Sequence, residues 1–330
     1  IPTEDGCPAE LVAGENTALS EDGSKLLSQA EGYISVEGNL VSVKPSMLIA
    51  GDVSYETGNI NSPIGVTVQG NILSGFRVHS KDSVNVAGLV EAAQIVSELD
   101  IAINGGVEGK GKGTLQAHGE IRVQFLNDVK VGCGGSLYSA GSIYHSRVQS
   151  NESVFAEGAH GHIAEGIVRA EDSIEAEQIG SEMGVKTRIE LGFATLALPG
   201  RIEELRDRVE ELTEKLKRLA AAAEKLKRLK KSRGSLDPQR EKGLKQAIAA
   251  VKKYKQLVQS KQEEADELEE AHAAGLRKMR FVKARKQIWP GTTIRILETE
   301  YDVKNPTGPA TVTLIDDEIH VLPYTESDIP

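Results

Sequence analysis

A short repeat in residues 78–103, which read VHSKDSVNVAGLVEAAQIVSELDIAI, decides the fold of this chain. Each copy has an apolar residue, a small residue two positions later, and a second alternating apolar pair that begins six positions after the first. Six copies lie between Val66 and Leu191, and they begin at Val78, Ile95, Leu115, Val131, Val148 and Val168. Alternation with period 2 predicts strands that bury one face.

The copies recur about every 18 residues, which predicts one coil of a parallel β-solenoid per copy, with two strands in each coil. Small residues at one inward position suit a narrow core in which two sheets approach closely. Gly88, Gly105, Gly141 and Gly158 follow the second strand, where a turn favours a positive φ. We therefore predict a mainly β protein built on a single-stranded, right-handed parallel β-helix.

Residues 199–286 have a different pattern. Apolar residues recur at alternating steps of three and four, which predicts a coiled-coil seam; they are Ile202, Leu205, Val209, Leu212, Leu216, Leu219, Ala223 and Leu226. A Ser-Arg-Gly-Ser break at 232–235 and the cap pair Asp237-Pro238 predict a second, antiparallel helix. Its seam is expected to run from Leu244 to Val282, which makes it the longer of the two helices, with interruptions at Lys261, His272 and Gly275.

Four segments follow from these patterns. Residues 1–50 are expected to form strands that cap the β-helix, and residues 51–198 the β-helix itself. Residues 199–286 are expected to form the coiled-coil hairpin, and residues 287–330 a C-terminal β segment that packs on the β-body. Because the chain begins at Ile1 and not at Met, we also expect that a segment precedes it.

Charge is unevenly distributed along the chain. The net charge is −10, but residues 201–286 carry +10 and the remaining 244 residues carry −20.

Aromatic residues make up only 4% of the sequence, which argues against a sugar-binding groove or a base-stacking nucleic-acid surface. No apolar run approaches the ~20 residues that span a bilayer. Two cysteines, Cys7 and Cys133, form no disulfide framework, so we expect a cytoplasmic protein.

Candidate reactive motifs have structural interpretations that we favour. The glycine-rich stretch 105–114 resembles a phosphate-binding loop, but it lacks the hydroxyl residue after Lys112 and precedes a strand, so an enlarged corner is expected. His160 and His162 could donate two imidazoles to a metal, but no third ligand at a fitting distance is evident, with His145 on a neighbouring coil as the single candidate, so solvated loop histidines are expected. Cys133 falls at the inward small position and should be inert.

Charged residues are also expected to have structural rather than chemical roles. The acidic residues at outward or corner positions are interpreted as a solvated face; they are Asp52, Glu56, Asp82, Asp100, Glu120 and Asp172. The basic runs 215–231 and 242–255 could bind phosphate backbones or an anionic membrane, but interleaved Glu and Ala favour a solvated helical face. We predict no catalytic residue, no cofactor-binding residue, no metal ligand and no cofactor.

Several motifs resemble the flagellar assembly protein A (FapA) family, a domain of unknown function. The most specific is GDVSYETGNI at 51–60; others are 70–76, 92–109, GSEMGVKT at 180–187 and WPGTTI at 289–294. Glu182 departs from the proline expected there, and Lys81-Asp82-Ser83 lacks the family's usual glycines. The resemblance implies a bacterial cytoplasmic protein with a β-helix interrupted by a helical hairpin and a link to flagellar assembly or placement. It implies no catalytic residues.

The sequence favours a non-catalytic scaffold that self-associates or docks protein partners, without a membrane segment and with neither nucleic acid nor a small-molecule ligand. The alternative is a hexapeptide-like acyltransferase on a left-handed β-helix, in which His118 or His145 would act. A polysaccharide lyase or hydrolase is the weakest interpretation, because few aromatic residues lie on the coils.

Overall fold

A computed structural model describes residues 12–30, 32–235 and 237–324. The described residues divide into two compact units, one formed by those up to Leu191 and from Met279 onward and the other by Gly192–Lys278. Cys7 lies outside the described residues. Within the described residues, neither helix combines length with enough apolar character to span a membrane.

Short strands precede the solenoid. They are β1 (Val12–Ala13), β2 (Thr17–Leu19), β3 (Leu26–Ser28), β4 (Tyr33–Glu37) and β5 (Leu40–Lys44). Strands β4 and β5 form an antiparallel hairpin around Gly38, whose φ is +62°, and β1 pairs in parallel with β5. The next strand, β6 (Ser46–Ile49), already pairs in parallel with Gly65–Val68 of the solenoid.

The predicted parallel β-solenoid is confirmed and has about eight turns. After β6, its strands are β7 (Ile60–Ser62), β8 (Gly65–Val68), β9 (Arg77–Ser80), β10 (Val84–Val86), β11 (Val90–Glu91), β12 (Gln94–Ser97), β13 (Ile101–Ile103), β14 (Val107–Ala117), β15 (Ile121–Val123), β16 (Leu126–Cys133), β17 (Leu137–Ser139), β18 (Ile143–Tyr144), β19 (Arg147–Ser150), β20 (Val154–Ala156), β21 (His162–Ala164), β22 (Ile167–Ala170), β23 (Ser173–Ile179), β24 (Thr187–Leu191), β25 (Phe281–Ile288) and β26 (Thr292–Ile296).

The strands stack in three parallel ladders, not the two that the repeat predicts. The first ladder contains β6, β8, β10, β13, β15, β17, β20, β23 and β25. The second contains β7, β9, β12, β14, β16, β19, β22, β24 and β26. The third contains β11, β14, β16, β18, β21, β23 and β25, and the longer strands take part in two ladders.

The third ladder escaped prediction because most of its pairings involve only two residues in each coil. One of the two is an inward apolar residue, such as Val90, Val107 or Ile143, so no alternation is visible in the sequence. These residues join the single apolar core that the first two ladders line. The core is therefore enclosed on three sides rather than pressed between two sheets.

Small residues lie inward where the second ladder ends. The Ser80 hydroxyl donates to the Ile64 carbonyl at 2.8 Å, and the Ser97 hydroxyl donates to the Asp82 carbonyl at 2.7 Å. Each carbonyl lies 15 or 16 residues earlier in the chain, so the hydroxyl satisfies the corner of the preceding coil. A small hydroxyl residue therefore fits this position because of the corner, not because two sheets meet there.

The glycines after the first ladder are required by close stacking, and the expectation of a positive φ was wrong for most of them. Gly158 has a φ of +77°, but Gly88, Gly105 and Gly141 are not in the left-handed region. A Cβ on Gly88 would lie 2.6 Å from the Gly70 carbonyl oxygen, and one on Gly105 would overlap the Gly88 backbone. The absence of a side chain lets the backbones of successive coils approach at this corner.

After the helices, the chain adds two more parallel strands to the solenoid and then continues in antiparallel strands. Strands β25 and β26 pair in parallel with β23 and β24, and Val282 aligns with Ile174. The strands that follow are antiparallel: β27 (Thr299–Asp302) pairs with β26, and β28 (Ala310–Ile315) pairs with β25 and with β29 (Glu318–Pro323).

The helical unit contains α1 (Phe193–Arg233) and α2 (Pro238–Arg277). Lys230 and Glu241, both close to the turn between the helices, form an ion pair at 2.7 Å, and Arg206 and Glu269, both far from that turn, form another at 2.5 Å. The two helices are therefore antiparallel. Every residue of the predicted α1 seam is buried or half-buried, as are its counterparts on α2 from Leu244 to Gly275 at the same spacing.

The boundaries of this unit differ from the expected range 199–286. Helix α1 begins six residues earlier, so Pro199 lies inside it rather than near its start. Helix α2 ends at Arg277, and Met279 and Val282 do not extend its seam. The two helices therefore have 41 and 40 residues, and the second is not the longer one. Val282 misled the prediction because an inward residue of a strand can fall in heptad register by chance.

Candidate functional site

The outward positions of the second ladder form a surface that we call the basic face. Its first row is Arg77, Gln94, Thr114, Lys130, Arg147, Ile167, Arg188 and Thr293, and its second row is His79, Val96, Gln116, Gly132, Gln149, Arg169, Glu190 and Arg295. These sixteen positions hold six lysine or arginine residues and one carboxylate, Glu190. Only 14 lysines and arginines lie outside residues 201–286, against 34 aspartates and glutamates. The basic face is thus an exception on an otherwise acidic body.

A groove with a volume of about 830 Å³ opens at the C-terminal end of the basic face. Arg147, Lys186 and Arg188 line it, together with His145 and Asp302. Two smaller depressions of about 360 and 340 Å³ lie beside it, and Arg147 lines all three. Arg147 therefore borders the groove and both depressions, and Lys130 borders the two depressions.

Glu190 holds two of the arginines in place. Its carboxylate accepts from Arg169 Nε and from Arg188 Nε, each at 2.5 Å, and Arg188 Nη2 donates to Glu300 Oε1 at 2.7 Å. Burial of Glu190 opposes ionisation, but the hydrogen bonds and charges of the two arginines outweigh it and lower the pKa of this carboxyl below the ordinary 4.5. The network fixes the guanidinium groups and supports an ionised Glu190.

Three other cations of this region have no such partner. Lys130, Arg147 and Lys186 are exposed and make no ion pair with any residue in the described part of the chain. Lys130 and Arg147 are direct neighbours in the ladder register, where like charges repel. Their side chains are available to an anion from solution.

Two of the three predicted histidines, His145 and His162, are engaged with separate partners, and His160 is exposed. His162 Nδ1 is hydrogen-bonded to the Tyr144 hydroxyl at 2.6 Å, and its Nε2 bonds to the Gly180 carbonyl. Burial raises the pKa of the Tyr144 hydroxyl. His145 pairs through Nε2 with Glu165 at the edge of the groove. Among the described residues, no group of three histidine, cysteine, aspartate or glutamate side chains could hold a metal ion.

The glycine-rich stretch forms a bulge within β14, between Glu108 and Gly113. Lys110 and Gly111 have φ values of +47° and +71°, and Lys110 Nζ pairs with Glu91 Oε2 at 3.0 Å. A strand and not a helix follows, so the amide groups do not converge as they do in a phosphate-binding loop.

Cys133 lies buried in the inward row, in register with Ala117 and Ser150. Burial raises the pKa of its thiol to about 11, which makes the reactive thiolate scarce at neutral pH.

Three of the predicted acidic residues, Asp52, Asp82 and Asp100, accept backbone hydrogen bonds at the corners. Asp52 Oδ1 accepts from the Asn71 amide at 2.6 Å, and Asp100 Oδ1 accepts from the Glu120 amide at 2.7 Å. Both bonds join one coil to the next. Asp82 caps the neighbouring Ser83 amide at 2.5 Å.

The basic face was missed in the sequence, although a signal was present. Arg77, Lys130 and Arg147 each stand immediately before the first apolar residue of a template copy. Aligning the outward positions of the copies, and not only their apolar residues, reveals the row. What the repeat does not reveal is which outward residues lie beside the groove, because Lys186 comes from a loop between coils.

One comparison with known proteins finds a match. The family described as "Flagellar Assembly Protein A beta solenoid domain" matches residues 45–319, which include both ends of the solenoid and the inserted helices. No curated protein matches the chain, and no solved structure does. Because the match covers most of the chain and agrees with the solenoid described above, the chain belongs to the flagellar assembly protein A (FapA) family.

Proposed function

We propose that this protein is a non-catalytic scaffold in flagellar assembly or placement, and that it docks protein partners or further copies of itself. Membership of a flagellar assembly family supports the cellular context. The basic face is the observation that supports docking, because unpaired cations stacked in register on an acidic body cost stability and are explained by an anionic partner. We place the protein in the cytoplasm of a bacterium, where flagellar partners would be available.

The experiment compares cells of the source organism that lack this gene with the same cells supplied with variants. Wild-type protein should restore the number and position of flagella seen by electron microscopy. A Lys130→Glu/Arg147→Glu variant should restore them poorly, whereas Lys25→Glu/Lys81→Glu, which changes the net charge equally outside the basic face, should restore them fully. Normal flagella in cells without the gene would refute the proposal.

Self-association is tested separately with the purified chain. Sedimentation velocity over a range of protein and salt concentrations should show a species heavier than one 35.5 kDa chain. A variant in which a short glycine-serine linker replaces the helical unit, Gly192–Lys278, would show whether the helices are required. A single-chain species under every condition would restrict the proposal to docking of other proteins.

Acyl transfer is the second candidate function, and two observations favour it. Three ladders per coil are the architecture expected of a hexapeptide solenoid, and the His145–Glu165 pair places an imidazole with a carboxylate at the edge of the groove. His118, the other histidine considered, does not line the groove. Acetyl transfer from acetyl-coenzyme A that is lost in His145→Ala would establish this function and refute the scaffold proposal.

A further inference from the structure

The docking function proposed above is the basis for assigning a chemical class to the partner that the basic face binds. We propose that the groove and the adjoining cations bind an extended, acidic peptide segment of a partner protein. The segment would carry aspartate or glutamate at two or more positions on one side.

The arrangement of the cations sets the length of the segment. Lys130 and Arg147 are aligned on neighbouring coils, and Arg188 follows two coils later, beyond Ile167 in the same row. With coils ~4.8 Å apart, this row spans roughly 14 Å, which an extended chain covers with about five residues. Alternate side chains of such a segment point to the same side, ~7 Å apart. Two or three carboxylates can therefore reach the row at once.

The cations of the basic face and of the groove differ in how firmly their side chains are held. The Arg188 guanidinium is held by Glu190 and Glu300, so its orientation is set before a ligand binds. Arg147 and Lys186 have no ion-pair partner among the described residues and line the same groove. An arginine can bind a carboxylate through two parallel hydrogen bonds, and a lysine contributes a mobile point charge. The lysines and arginines of the basic face thus outnumber the carboxylates that neutralise them.

The shape and composition of the face favour a peptide over other polyanions. The groove is concave, and apolar side chains such as Ile167, Val185 and Val303 share its lining with the cations. A flat anionic bilayer would leave such a concave surface unfilled. The sixteen positions of the basic face contain no phenylalanine, tyrosine or tryptophan, so stacking of nucleic-acid bases has no platform there.

Fluorescence anisotropy with the full-length chain tests this proposal. The probe is a labelled peptide of alternating glutamate and serine, and its matched control replaces each glutamate by glutamine. Wild-type protein should bind the glutamate peptide and not the glutamine peptide, and binding should weaken as salt rises. In Lys130→Glu/Arg147→Glu the Kd should increase at least about tenfold, as expected when two contacts to charged groups are lost.

Two controls make the outcome decisive. Lys25→Glu/Lys81→Glu should bind the glutamate peptide as the wild type does. Circular dichroism should show that both double variants are folded, because none of the four side chains makes an ion pair with a described residue. Equal loss of binding in both double variants would overturn the proposal, since it would mean that only net charge matters.

Competing polyanions provide the remaining outcomes. Single-stranded oligothymidylate and vesicles containing phosphatidylglycerol are titrated against the same protein. Tighter binding of either one than of the glutamate peptide would overturn the proposal, as would no binding of the peptide to wild type. These results are independent of the flagellar phenotype: absence of peptide binding with a clear phenotype refutes only this inference, and binding without a phenotype refutes only the flagellar role.

Discussion

A buried ion pair lies at the point where the chain returns from the helices to the solenoid. The Arg280 side chain is 1% exposed and that of Glu171 is 13% exposed. Arg280 Nη2 lies 2.5 Å from Glu171 Oε1, and Arg280 Nε donates to the Glu171 carbonyl at 2.8 Å. Strand β25 begins at the next residue. We predict that Arg280→Met strongly destabilises the solenoid, because it removes the guanidinium that pairs with a largely buried carboxylate.

The expected loss is about 3–5 kcal/mol, the range for breaking a buried pair by removing one partner. Methionine retains much of the aliphatic volume, so the loss reports the charge and hydrogen bonds more than a cavity. Trp289 is the only tryptophan of the chain, and its Nε1 donates to Gln178 Oε1 at 3.2 Å within the solenoid unit. Urea unfolding followed by tryptophan fluorescence therefore reports this unit specifically.

A matched control uses an exposed pair. Lys110 Nζ lies 3.0 Å from Glu91 Oε2, and these side chains are 61% and 37% exposed. Lys110→Met should cost only about 0–1 kcal/mol. The double variant Arg280→Met/Glu171→Gln should recover part of the stability, since the buried carboxylate charge that faced Arg280 is gone as well. A loss in Arg280→Met no larger than that in Lys110→Met would refute the reasoning.

Three further predictions concern the core, the basic face and the coil corners. In a Cys7→Ser background, Cys133 should react with a disulfide reagent at pH 8 far more slowly in the native protein than in urea; similar rates would contradict its burial. Glu190→Gln should destabilise the solenoid at neutral pH, and the difference from wild type in urea unfolding should vanish as the pH falls through the lowered pKa of Glu190. The reason is that the stability contributed by a carboxyl group with a depressed pKa is lost when that group is protonated, so a difference that is independent of pH would refute this prediction. Gly105→Ala should lower the free energy of unfolding in urea by about 1–3 kcal/mol, because its Cβ overpacks the corner. The control Gly132→Ala, where a Cβ meets nothing within 4 Å, should change it by less than about 0.5 kcal/mol, and equal effects would show that stacking does not require the glycine.

Much of the local structure could be predicted from short-range patterns. Period-2 alternation at Val78 and Val84 predicted the strands of the second and first ladders, and the solenoid was predicted from their 18-residue recurrence. The heptad from Ile202 predicted the buried side of α1, because a helical face depends on residues three or four apart. The inward position of Cys133 was also predictable, since it follows from the template alone.

The third ladder, the reason for Gly88 and Gly105, and the return of Val282 to the solenoid depended on tertiary structure. Each of them reflects contact between coils, and neighbouring coils bring together residues some 16 to 20 positions apart or, for Val282 and Ile174, more than a hundred. The basic face is intermediate, because its residues can be read from the outward positions of the repeat. Only the stacking of the coils decides that Lys130 and Arg147 are adjacent and that a loop carries Lys186 to the same groove. Periodicity along a chain specifies which way a side chain points, whereas its neighbours across the coils are specified by the register of hydrogen bonds between them.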